Sequence, residues 1–362
     1  MKKLKLGMVG GGQGGFIGGV HRFAARLDNR WDLVAGALSS NSERAAASAA
    51  ELGLKRSYAS YEQMAVAEAA MGDGIDAVSI VTPNHMHAGP AITFLNAGIH
   101  VICDKPLAAT QEQADAIKKA AANSKAQFFL THNYTGYPLV RQARKLVEAG
   151  ELGTIRVVQA EYAQDWLAEE THNKQADWRT DPKQAGAGAI GDIGTHAFNL
   201  LSYVSGLKTE ALSAELHSFV PGRLVDDNAH IRLRFERGAK GQVWASQVAI
   251  GHENDLRLSI YGDRGSLEWR QENPNQMRFA KFGQPPQTLT RGYGGDAGTR
   301  IPPGHPEGYL EGFANIYSDV ADVISGVGTG SELPDLNSGL EGMWFIKACL
   351  ESSEQDGVWV DH

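Results

Sequence analysis

A glycine-rich loop near the start of the chain places the strongest constraint on how it can fold. Leu4–Val9 is predicted to be a short apolar strand, and the loop from Gly10 to Gly19 leads into a predicted helix over His21–Leu27. Glycines let the backbone approach a pyrophosphate, and the first N–H groups of a helix attract its negative charge. The order strand, glycine loop, helix predicts a dinucleotide-binding site; an ordinary flexible turn is the alternative.

Two spacings within this loop fit the G-x-G-x-x-G fingerprint of such sites. Gly10, Gly12 and Gly15 fit it directly, and a longer loop places Gly18 third instead. We expect Gly10, Gly12, Gln13 and Gly15 to bind the cofactor, with the identity of the third glycine left open.

The first third of the chain alternates apolar strands with helical segments. Further strands are predicted at Leu33–Leu38, Ile75–Val81, Val101–Cys103 and Gln127–Leu130, and helices at Glu43–Leu52, Ala88–Ala97 and Gln111–Ala122. This alternation predicts a parallel sheet with right-handed crossovers, a Rossmann-type domain over residues 1–133. Ligands bind at the carboxyl ends of the strands in such sheets.

The pattern changes after a predicted helix that follows Pro138, runs to Glu148 and is ended by Gly150. Short strands follow, several alternating apolar and polar residues as in Ile231–Phe235, and the short links Arg237–Gly241 and Gly262–Gly265 are typical of hairpins. These strands predict a second α/β domain over 134–362 with a large, mostly antiparallel open sheet. A long sheet with an exposed face needs a cover, so we expect a homodimer or homotetramer.

Composition narrows the classes of partner. The 362 residues are enough for two domains, and a formal net charge of -8 argues against nucleic acid or an anionic membrane surface. No stretch approaches the roughly 18 apolar residues of a membrane span. The two cysteines lie far apart in sequence, which favours a reducing, cytoplasmic compartment over a disulfide framework.

The strand Val101–Cys103 ends at Asp104, Lys105 and Pro106. Proline cannot donate to a sheet ladder, so the strand must stop here. The sequence therefore delivers one carboxylate and one amine to the carboxyl edge of the predicted parallel sheet, where a ligand would bind.

A second pair of polar side chains lies in the predicted second domain. Asp192 and His196 are four residues apart, so on a helix they share one face. An imidazole is a natural acceptor for an alcohol proton, and a carboxylate beside it can orient it or bind a substrate hydroxyl. The alternatives are a helix-capping aspartate with a core histidine, or a metal site. No third ligand is visible here, nor beside His85 and His87, so we predict no metal.

The residues after the second strand bear on the choice between NAD and NADP. Ser39, Ser40 and Asn41 offer no carboxylate to repel a 2′-phosphate, and Arg44 lies one helical turn on. NAD is our prediction, with NADP left open. The alternative reading is that Ser39 and Ser40 only cap the following helix.

Taken together, four segments resemble the Gfo/Idh/MocA oxidoreductase family over nearly the whole chain. They are the glycine loop, Thr82–His87, Asp104–Pro106 and Gly191–His196. The resemblance implies a Rossmann domain followed by an α/β domain whose open sheet serves oligomerisation. It also implies an NAD(P)-dependent dehydrogenase of sugars or cyclitols, active in carbohydrate metabolism.

The resemblance also implies roles for individual residues. Lys105 matches the catalytic lysine, in a Lys-Pro bond that the family often holds in the cis form, and Asp192 and His196 match the aspartate–histidine pair. Asp104 replaces the usual glutamate, so we expect it to contact the nicotinamide ribose or orient Lys105 with altered reach. The segment His305–Tyr309 is similar to one that lies near the sugar in some members.

From the residues and the resemblance together we expect two sets of contacts. Beyond the glycine loop, the expected cofactor-binding residues are Ser39, Ser40, Arg44, Thr82, Pro83, Asn84, His87, Asp104, Lys105, Asn133, Trp178 and Arg179. The expected substrate-binding residues are Lys105, Tyr134, Trp166, Asp192, His196 and Tyr309.

The hypothesis for the chemistry is oxidation of a secondary hydroxyl of a sugar, glycoside or cyclitol by hydride transfer to the nicotinamide. His196 would accept the hydroxyl proton, and Lys105 would stabilise the developing charge on the same oxygen. One alternative is an NAD-dependent glycosidase that acts by transient oxidation, elimination, hydration and reduction. Another is a non-catalytic NAD(P)-binding regulator.

Overall fold

The structure, a computed structural model, describes residues 3–292 and 298–362, with the backbone alone at Lys174. The described strands are β1 (Leu4–Gly10), β2 (Trp31–Ala37), β3 (Arg56–Ser57), β4 (Ala77–Val81), β5 (His100–Cys103), β6 (Phe128–Leu130), β7 (Ile155–Ala163), β8 (Thr209–His217), β9 (Asn228–Phe235), β10 (Lys240–Ser246), β11 (Asp255–Gly262), β12 (Gly265–Arg270), β13 (Gln276–Lys281), β14 (Gln287–Thr290) and β15 (Val360–Asp361). The described α-helices are α1 (Phe16–Leu27), α2 (Ser42–Glu51), α3 (Tyr61–Ala70), α4 (Ala88–Asn96), α5 (Gln111–Ala122), α6 (Pro138–Glu148), α7 (Lys174–Arg179), α8 (Pro182–Ala185), α9 (Thr195–Ser205), α10 (Tyr309–Ile324) and α11 (Leu336–Glu354).

These elements divide into two compact units. The first comprises the residues up to Gly136 together with Leu310–Leu340, and the second comprises Tyr137–Tyr309 with Glu341–His362. The sequence pattern predicts one second domain over 134–362, which would include Leu310–Leu340. Its helix, α10, packs instead in the first unit, where Trp31 donates a hydrogen bond from Nε1 to the carbonyl of Tyr317 at 2.8 Å.

The first unit is built on a six-stranded sheet in the order β3-β2-β1-β4-β5-β6, with every neighbouring pair parallel. This is the strand order of a Rossmann fold, so the predicted parallel sheet is confirmed. The order reverses between β1 and β4, and the glycine loop follows β1 at that point. The two-residue β3 and helix α3 were not predicted, since a strand of that length carries no alternation to detect.

Side-chain caps fix where several helices of the first unit begin. Thr110 accepts from the N–H of Gln113 at the start of α5, which matches its predicted bounds. Helix α1 begins at Phe16 rather than at His21, because the glycines before His21 form its first turn. The predicted loop was therefore too long at its C-terminal end.

The second unit is built on a nine-stranded sheet in the order β14-β13-β12-β11-β7-β10-β9-β8-β15. Only β7 and β10 pair in parallel, so the predicted mostly antiparallel sheet is confirmed. Along β9, Ile231, Leu233 and Phe235 are buried while Arg232 and Arg234 are exposed. Helix α9 packs against β7 and β11 in this unit. One face of the sheet is thus covered within the unit, and the other carries polar and charged side chains.

Among the described helices, none has the length and apolar character needed to cross a lipid bilayer.

A buried ion pair ties α3 to the edge of the first sheet. Glu68 is 2% exposed, and its carboxylate accepts from Nε of Arg56 at 2.6 Å, from Nη2 of Arg56 at 2.9 Å and from the hydroxyl of Tyr58 at 2.8 Å. It also accepts from the N–H of Ile75 at 3.1 Å. All these donors lose their partner together if the carboxylate is removed.

We therefore expect Glu68→Ala to lower the free energy of unfolding by about 3 to 5 kcal/mol, the usual cost of leaving one partner of a buried pair behind. Urea denaturation followed by circular dichroism measures this. Glu62→Ala, an exposed glutamate on the same helix, is the matched control and should cost no more than about 1 kcal/mol. Equal losses in the two variants would contradict a stabilising role for the buried pair.

Candidate active site

The glycine loop lies at the carboxyl end of β1. Two of its positions require glycine, one for its backbone conformation and one for its close contact with the loop. Gly10 has a φ of +80°, in the left-handed region that favours glycine. Gly18, in the first turns of α1, packs so tightly on the loop that a Cβ there would lie 2.4 Å from the Cα of Gly11. Close packing of helix on loop is the role of the third glycine in the fingerprint. Of the two spacings left open, this contact favours the longer one, with Gly18 third.

The loop is suited to a dinucleotide on three counts. Helix α1 has no side-chain cap at its N-cap residue Gly15, so its first N–H groups can meet a phosphate. The hydroxyl of Thr82, beside Gly10, is buried and has no hydrogen-bond partner among the described residues. Gln13 has its N–H on the hydroxyl of Ser48 at 3.1 Å and its amide on Glu51 at 3.1 Å, which holds the loop against α2.

The turn after β2 differs in one detail from the sequence interpretation. Asn41 caps α2 by accepting the N–H of Arg44 at 2.9 Å, so Ser39 and Ser40 are not the cap. Ser39 accepts from the N–H of Asn41 at 3.2 Å, and Ser40 and Arg44 are exposed. The two serines are therefore not needed to start the helix.

The segment Thr82–His87 follows β4 at its carboxyl end and contains the 3₁₀ turn Asn84–Met86, with Asn84 buried. His87 is fully buried: one ring nitrogen lies 2.8 Å from the carbonyl of Pro106 and the other 2.8 Å from the carbonyl of Thr82. Burial lowers the pKa of His87 below its ordinary value, although Asp104 and the two carbonyls oppose this. Both ring nitrogens thus lie against backbone carbonyls, and the neutral ring can donate to one of the two. His87 links the Thr82 turn to the turn that contains Lys105, rather than presenting its ring to a cofactor.

Asp104 and Lys105 follow β5 at the same edge of the sheet, and the Lys105–Pro106 bond is cis, as the resemblance implied. Asp104 accepts from the hydroxyl of Thr131 at 2.9 Å, and its carboxylate lies 3.8 Å from Nε2 of His21. Burial alone would raise the pKa of Asp104, but His21, Lys105 and His87 outweigh it and hold the pKa well below the usual range. Half-buried Lys105 therefore has an ionised carboxylate as its neighbour in sequence.

His132 is a residue of this edge that the sequence analysis did not select. It follows Thr131 after β6 and is 2% exposed. Burial, followed by the charge of Lys105, lowers the pKa of His132 to about 3, so the ring is neutral. Asn133 and Tyr134 come next in a buried 3₁₀ turn. The signal available in the sequence was the position of His132, since polar residues that follow neighbouring parallel strands meet at one edge.

In the second unit, Asp192 and His196 lie on one continuous helical segment that is not uniform. Ile190–Gly194 is a π-helical turn, and α9 continues from Thr195. Asp192 belongs to the π turn and His196 to α9, so the predicted ordinary α-helix over both was wrong in this respect. Single π turns inserted in helices are frequent at functional sites.

Two side chains from elsewhere in the unit hold Asp192. Nε of Arg179 lies 3.2 Å and Nε2 of Gln247 lies 3.0 Å from the same carboxylate oxygen. Arg179 also stacks over Trp178, with its guanidinium carbon 4.2 Å from the ring centre, and lies 6.0 Å from the ring of Trp166. Arg179 and Trp178 were expected at the cofactor. In the described structure Arg179 binds Asp192, and buried Gln247 was not predicted because nothing local marks it.

His196 is buried, and Tyr162 lies beside it with the ring centres 6.2 Å apart. The hydroxyl of Tyr162 donates to Asn254 at 2.8 Å, and Nε1 of Trp166 donates to Gln164 at 3.0 Å. Tyr309 is half-buried at the start of α10. In the part of the chain that the structure describes, no group of three or more His, Cys, Asp or Glu side chains could hold a metal ion.

Asp226 anchors the start of this segment. Its carboxylate accepts from the N–H groups of Gly188 at 2.8 Å and Ile190 at 2.7 Å, and its carbonyl accepts from Ala189 at 2.8 Å. Gly188 packs directly on that carbonyl, since a Cβ there would lie 1.8 Å from the oxygen. The buried side chain of Asp226 thus holds the N-terminal end of the π turn that contains Asp192.

This anchor has an expected pH signature. Burial raises the pKa of Asp226 from 3.8 to about 6, although the N–H groups of Ile190 and Gly188 lower it. Between about pH 4 and pH 6 the folded chain therefore binds more protons than the unfolded chain, and stability falls as pH rises. We expect the free energy of unfolding of the wild type, relative to Asp226→Asn, to fall by about 2 to 3 kcal/mol across this window.

Urea denaturation at several pH values measures this difference. Asp356→Asn is the control, because Asp356 is exposed and has a φ of 56°, which asparagine tolerates. A difference between wild type and Asp226→Asn that stays constant with pH would contradict the raised pKa.

Known proteins match both halves of the chain. The family description "Oxidoreductase family, NAD-binding Rossmann fold" matches residues 4–132, and "GFO/IDH/MocA C-terminal domain" matches residues 140–268. The chain is 35% identical to "Uncharacterized oxidoreductase YfiI" of Bacillus subtilis, over 99% of this chain and 97% of that protein. It is 32% identical to "Levoglucosan dehydrogenase" of Pseudarthrobacter phenanthrenivorans, over 77% of each.

Solved structures agree with these matches. The structure is similar to that of an inositol dehydrogenase homolog from Azotobacter vinelandii, complexed with NADH and myo-inositol, with a TM-score of 0.92 and 36% identity over 100% of this chain and 98% of that one. The resemblance, the fold and the NAD prediction are confirmed by these matches. The chain belongs to the Gfo/Idh/MocA family and is an oxidoreductase with an NAD-binding Rossmann domain.

Proposed function

We propose that this oxidoreductase oxidises a secondary hydroxyl of a sugar, glycoside or cyclitol. The observation that carries the proposal is the edge of the first sheet, where half-buried Lys105 and ionised Asp104 lie at the carboxyl ends of the strands that also carry the glycine loop. The named relatives support the substrate class, since one is a levoglucosan dehydrogenase and another was solved with myo-inositol. Both ligands are compact polyols.

In this proposal Lys105 and His196 have different roles at the reacting hydroxyl. Bound NAD supplies the hydride acceptor. Lys105 donates a hydrogen bond from its ammonium to the reacting oxygen and stabilises the negative charge that develops there. His196 accepts the hydroxyl proton, and Asp192 holds either a neighbouring substrate hydroxyl or the imidazole. The Arg179 and Gln247 bonds support the role of Asp192, because they keep its carboxylate from rotating.

The remaining predicted contacts stay part of the proposal. Around the cofactor we propose Gly10, Gly12, Gln13, Gly15, Ser39, Ser40, Arg44, Thr82, Pro83, Asn84, Asp104, Asn133 and Trp178. Tyr134, Trp166 and Tyr309 would offer aromatic surface to the apolar face of a sugar ring. For His87 we propose an indirect role, through the backbone carbonyls that it binds.

An absorbance assay for NADH tests the function. The purified protein is given NAD or NADP with single sugars, glycosides, inositols, anhydrosugars and sugar acids. We expect NADH to form with at least one polyol, in amounts equal to the ketone produced. Release of sugar from a glycoside without net NADH would point to the glycosidase alternative. Cofactor binding in a thermal-shift assay without turnover of any compound would point to a regulator, and either result would overturn the proposal.

We also propose that the open face of the large sheet pairs with a second copy of the chain. The face carries both cations and anions in adjacent rows: Arg257 pairs with Glu161 at 3.8 Å, and Arg278 with Glu268 at 2.8 Å. Large apolar side chains at its margin are exposed, Phe219 at 62% and Ile250 at 83%. When two copies of this face meet about a two-fold axis, the cations of one copy can pair with the anions of the other.

Light scattering at micromolar concentration is expected to give about two or four times the mass of the 38.9 kDa chain. A monomer alone would contradict this. A cytoplasmic location also stays a prediction; both cysteines are free and buried, which agrees with a reducing compartment.

A further inference from the structure

Three buried polar side chains in the first unit have no part in the chemistry proposed above. His21 comes from α1, Ser79 from β4 and Tyr317 from α10; His21 and Ser79 are 0% exposed and Tyr317 is 1% exposed. Nδ1 of His21 lies 2.9 Å from the Tyr317 hydroxyl and 3.2 Å from the Ser79 hydroxyl, and the two hydroxyls lie 2.9 Å apart. We call these residues the His21 cluster. Burying three such groups is costly unless each has a partner, and here they supply one another.

The groups on the two sides of the His21 ring together favour one tautomer. Nδ1 has a single lone pair, which can accept from either hydroxyl while the second hydroxyl donates to the first. If Nδ1 accepts, the proton of the neutral ring must lie on Nε2. Nε2 has no hydrogen-bond partner in the described structure, and it faces Oδ1 of Asp104 at 3.8 Å. An N–H there is attracted to the carboxylate, whereas a lone pair would be repelled, so both ends of the ring favour the same tautomer.

Asp104 is placed to respond to that N–H. Its carboxylate is 14% exposed and is held on another side by the hydroxyl of Thr131, while its own N–H donates to the carbonyl of Ile80 at 2.9 Å. The backbone is thus tied to β4, and the remaining freedom is rotation of a short side chain. His21 lies where it can limit that rotation.

We propose that His21 is a positioning residue for Asp104, and through Asp104 for Lys105. The hydroxyls of Tyr317 and Ser79 fix the Nε2–H tautomer, and the Nε2–H group orients the carboxylate beside the lysine. Helix α1, which carries His21, thereby influences where the negative charge of Asp104 lies relative to Lys105. This inference rests on the proposed function for its effect on turnover, but not for the tautomer itself.

The tautomer gives a readout that does not depend on activity. Long-range ¹H–¹⁵N correlation spectra of protein labelled at histidine distinguish a proton on Nε2 from one on Nδ1. We expect the His21 signal to show Nε2–H, and to lose this pure pattern in the Tyr317→Phe, Ser79→Ala double variant. His21→Gln assigns the signal by its disappearance; should that variant not fold, the selective response to Tyr317→Phe assigns it. A wild-type signal with the proton on Nδ1 would overturn the inference, whatever the enzyme acts on.

Turnover gives the second readout. Tyr317→Phe keeps the ring and removes only the hydroxyl, so we expect kcat to fall about 10-fold with the KM of the sugar changed by less than about threefold. Phe313→Leu is the matched control, because Phe313 packs on the His21 ring, with ring centres 4.9 Å apart, and its hydrocarbon side chain cannot donate to or accept from Nδ1 or Nε2. It should leave kcat within about twofold. Equal losses in both variants would indicate packing alone and would refute the positioning role.

A double-mutant cycle separates action through Asp104 from independent damage. If His21 acts through Asp104, adding Tyr317→Phe to the Asp104→Asn variant should lower its kcat by less than about twofold. Additive losses would refute the inference. If no compound in the substrate panel is turned over, the proposed function fails, and the histidine spectrum still decides for or against the His21 tautomer.

Discussion

Replacement of Lys105 by methionine is expected to lower kcat by about 10²- to 10³-fold, the usual loss when one preorganised donor to a developing oxyanion is removed. Methionine keeps most of the length and the apolar stem of lysine while deleting the charge. The KM of the sugar should change far less than kcat, because the bond strengthens mainly as negative charge develops. Steady-state NADH formation with the best substrate of the panel measures both constants.

Lys118→Met is the matched control for this variant. Lys118 is exposed on α5 and follows none of the strand ends described above, so its loss should leave kcat unchanged within about twofold. Lys105→Met with near-normal turnover would remove Lys105 from the chemistry.

Replacement of His196 by asparagine is expected to lower kcat by about 10²- to 10⁴-fold, the range over which a positioned general base contributes. Asparagine can keep a hydrogen bond but cannot take up the hydroxyl proton near neutral pH. His196 is buried on the segment that Asp226 anchors, so circular dichroism and the unfolding midpoint must be measured alongside.

His172→Asn serves as the control, because its side chain is 78% exposed. It should retain full kcat within about twofold. If His196→Asn folds normally and keeps kcat, the proton acceptor is another group. A fall in kcat that tracks a loss of folded protein would instead assign His196 to stability.

Much of the first unit could be predicted because its signals are local. The helix Gln111–Ala122 is bounded by a threonine cap, and strands such as Val101–Cys103 end where proline forbids a further ladder bond. The glycine loop was recognised for the same reason. The choice between Gly15 and Gly18 as its third glycine stayed open, because the contact of Gly18 with Gly11 depends on how α1 packs over the loop.

The candidate site was predictable in part, for a related reason. The i,i+4 spacing showed that Asp192 and His196 share a face, but spacing carries no sign of the π turn that contains Asp192. Gln247 binds Asp192 across 55 residues of sequence, and His21 meets Tyr317 across 296. Such pairs arise only when distant elements pack, and no periodicity marks them beforehand.

Very short strands cannot be predicted from the alternation of apolar and polar residues. The two-residue strands β3 and β15 are too short to alternate, and both were missed. The placement of Leu310–Leu340 in the first unit was missed because helix α10 carries an apolar face that would suit either unit.

We propose that Lys105 and His196 act on one hydroxyl oxygen. A crystal structure of the protein with NADH and the best alcohol substrate of the panel tests it directly, since that pair cannot react. We expect Nζ of Lys105 and a ring nitrogen of His196 each to lie within about 3.2 Å of the same substrate oxygen. A substrate whose hydroxyl nearest the nicotinamide is held by other side chains, with Lys105 or His196 more than about 5 Å away, would contradict it.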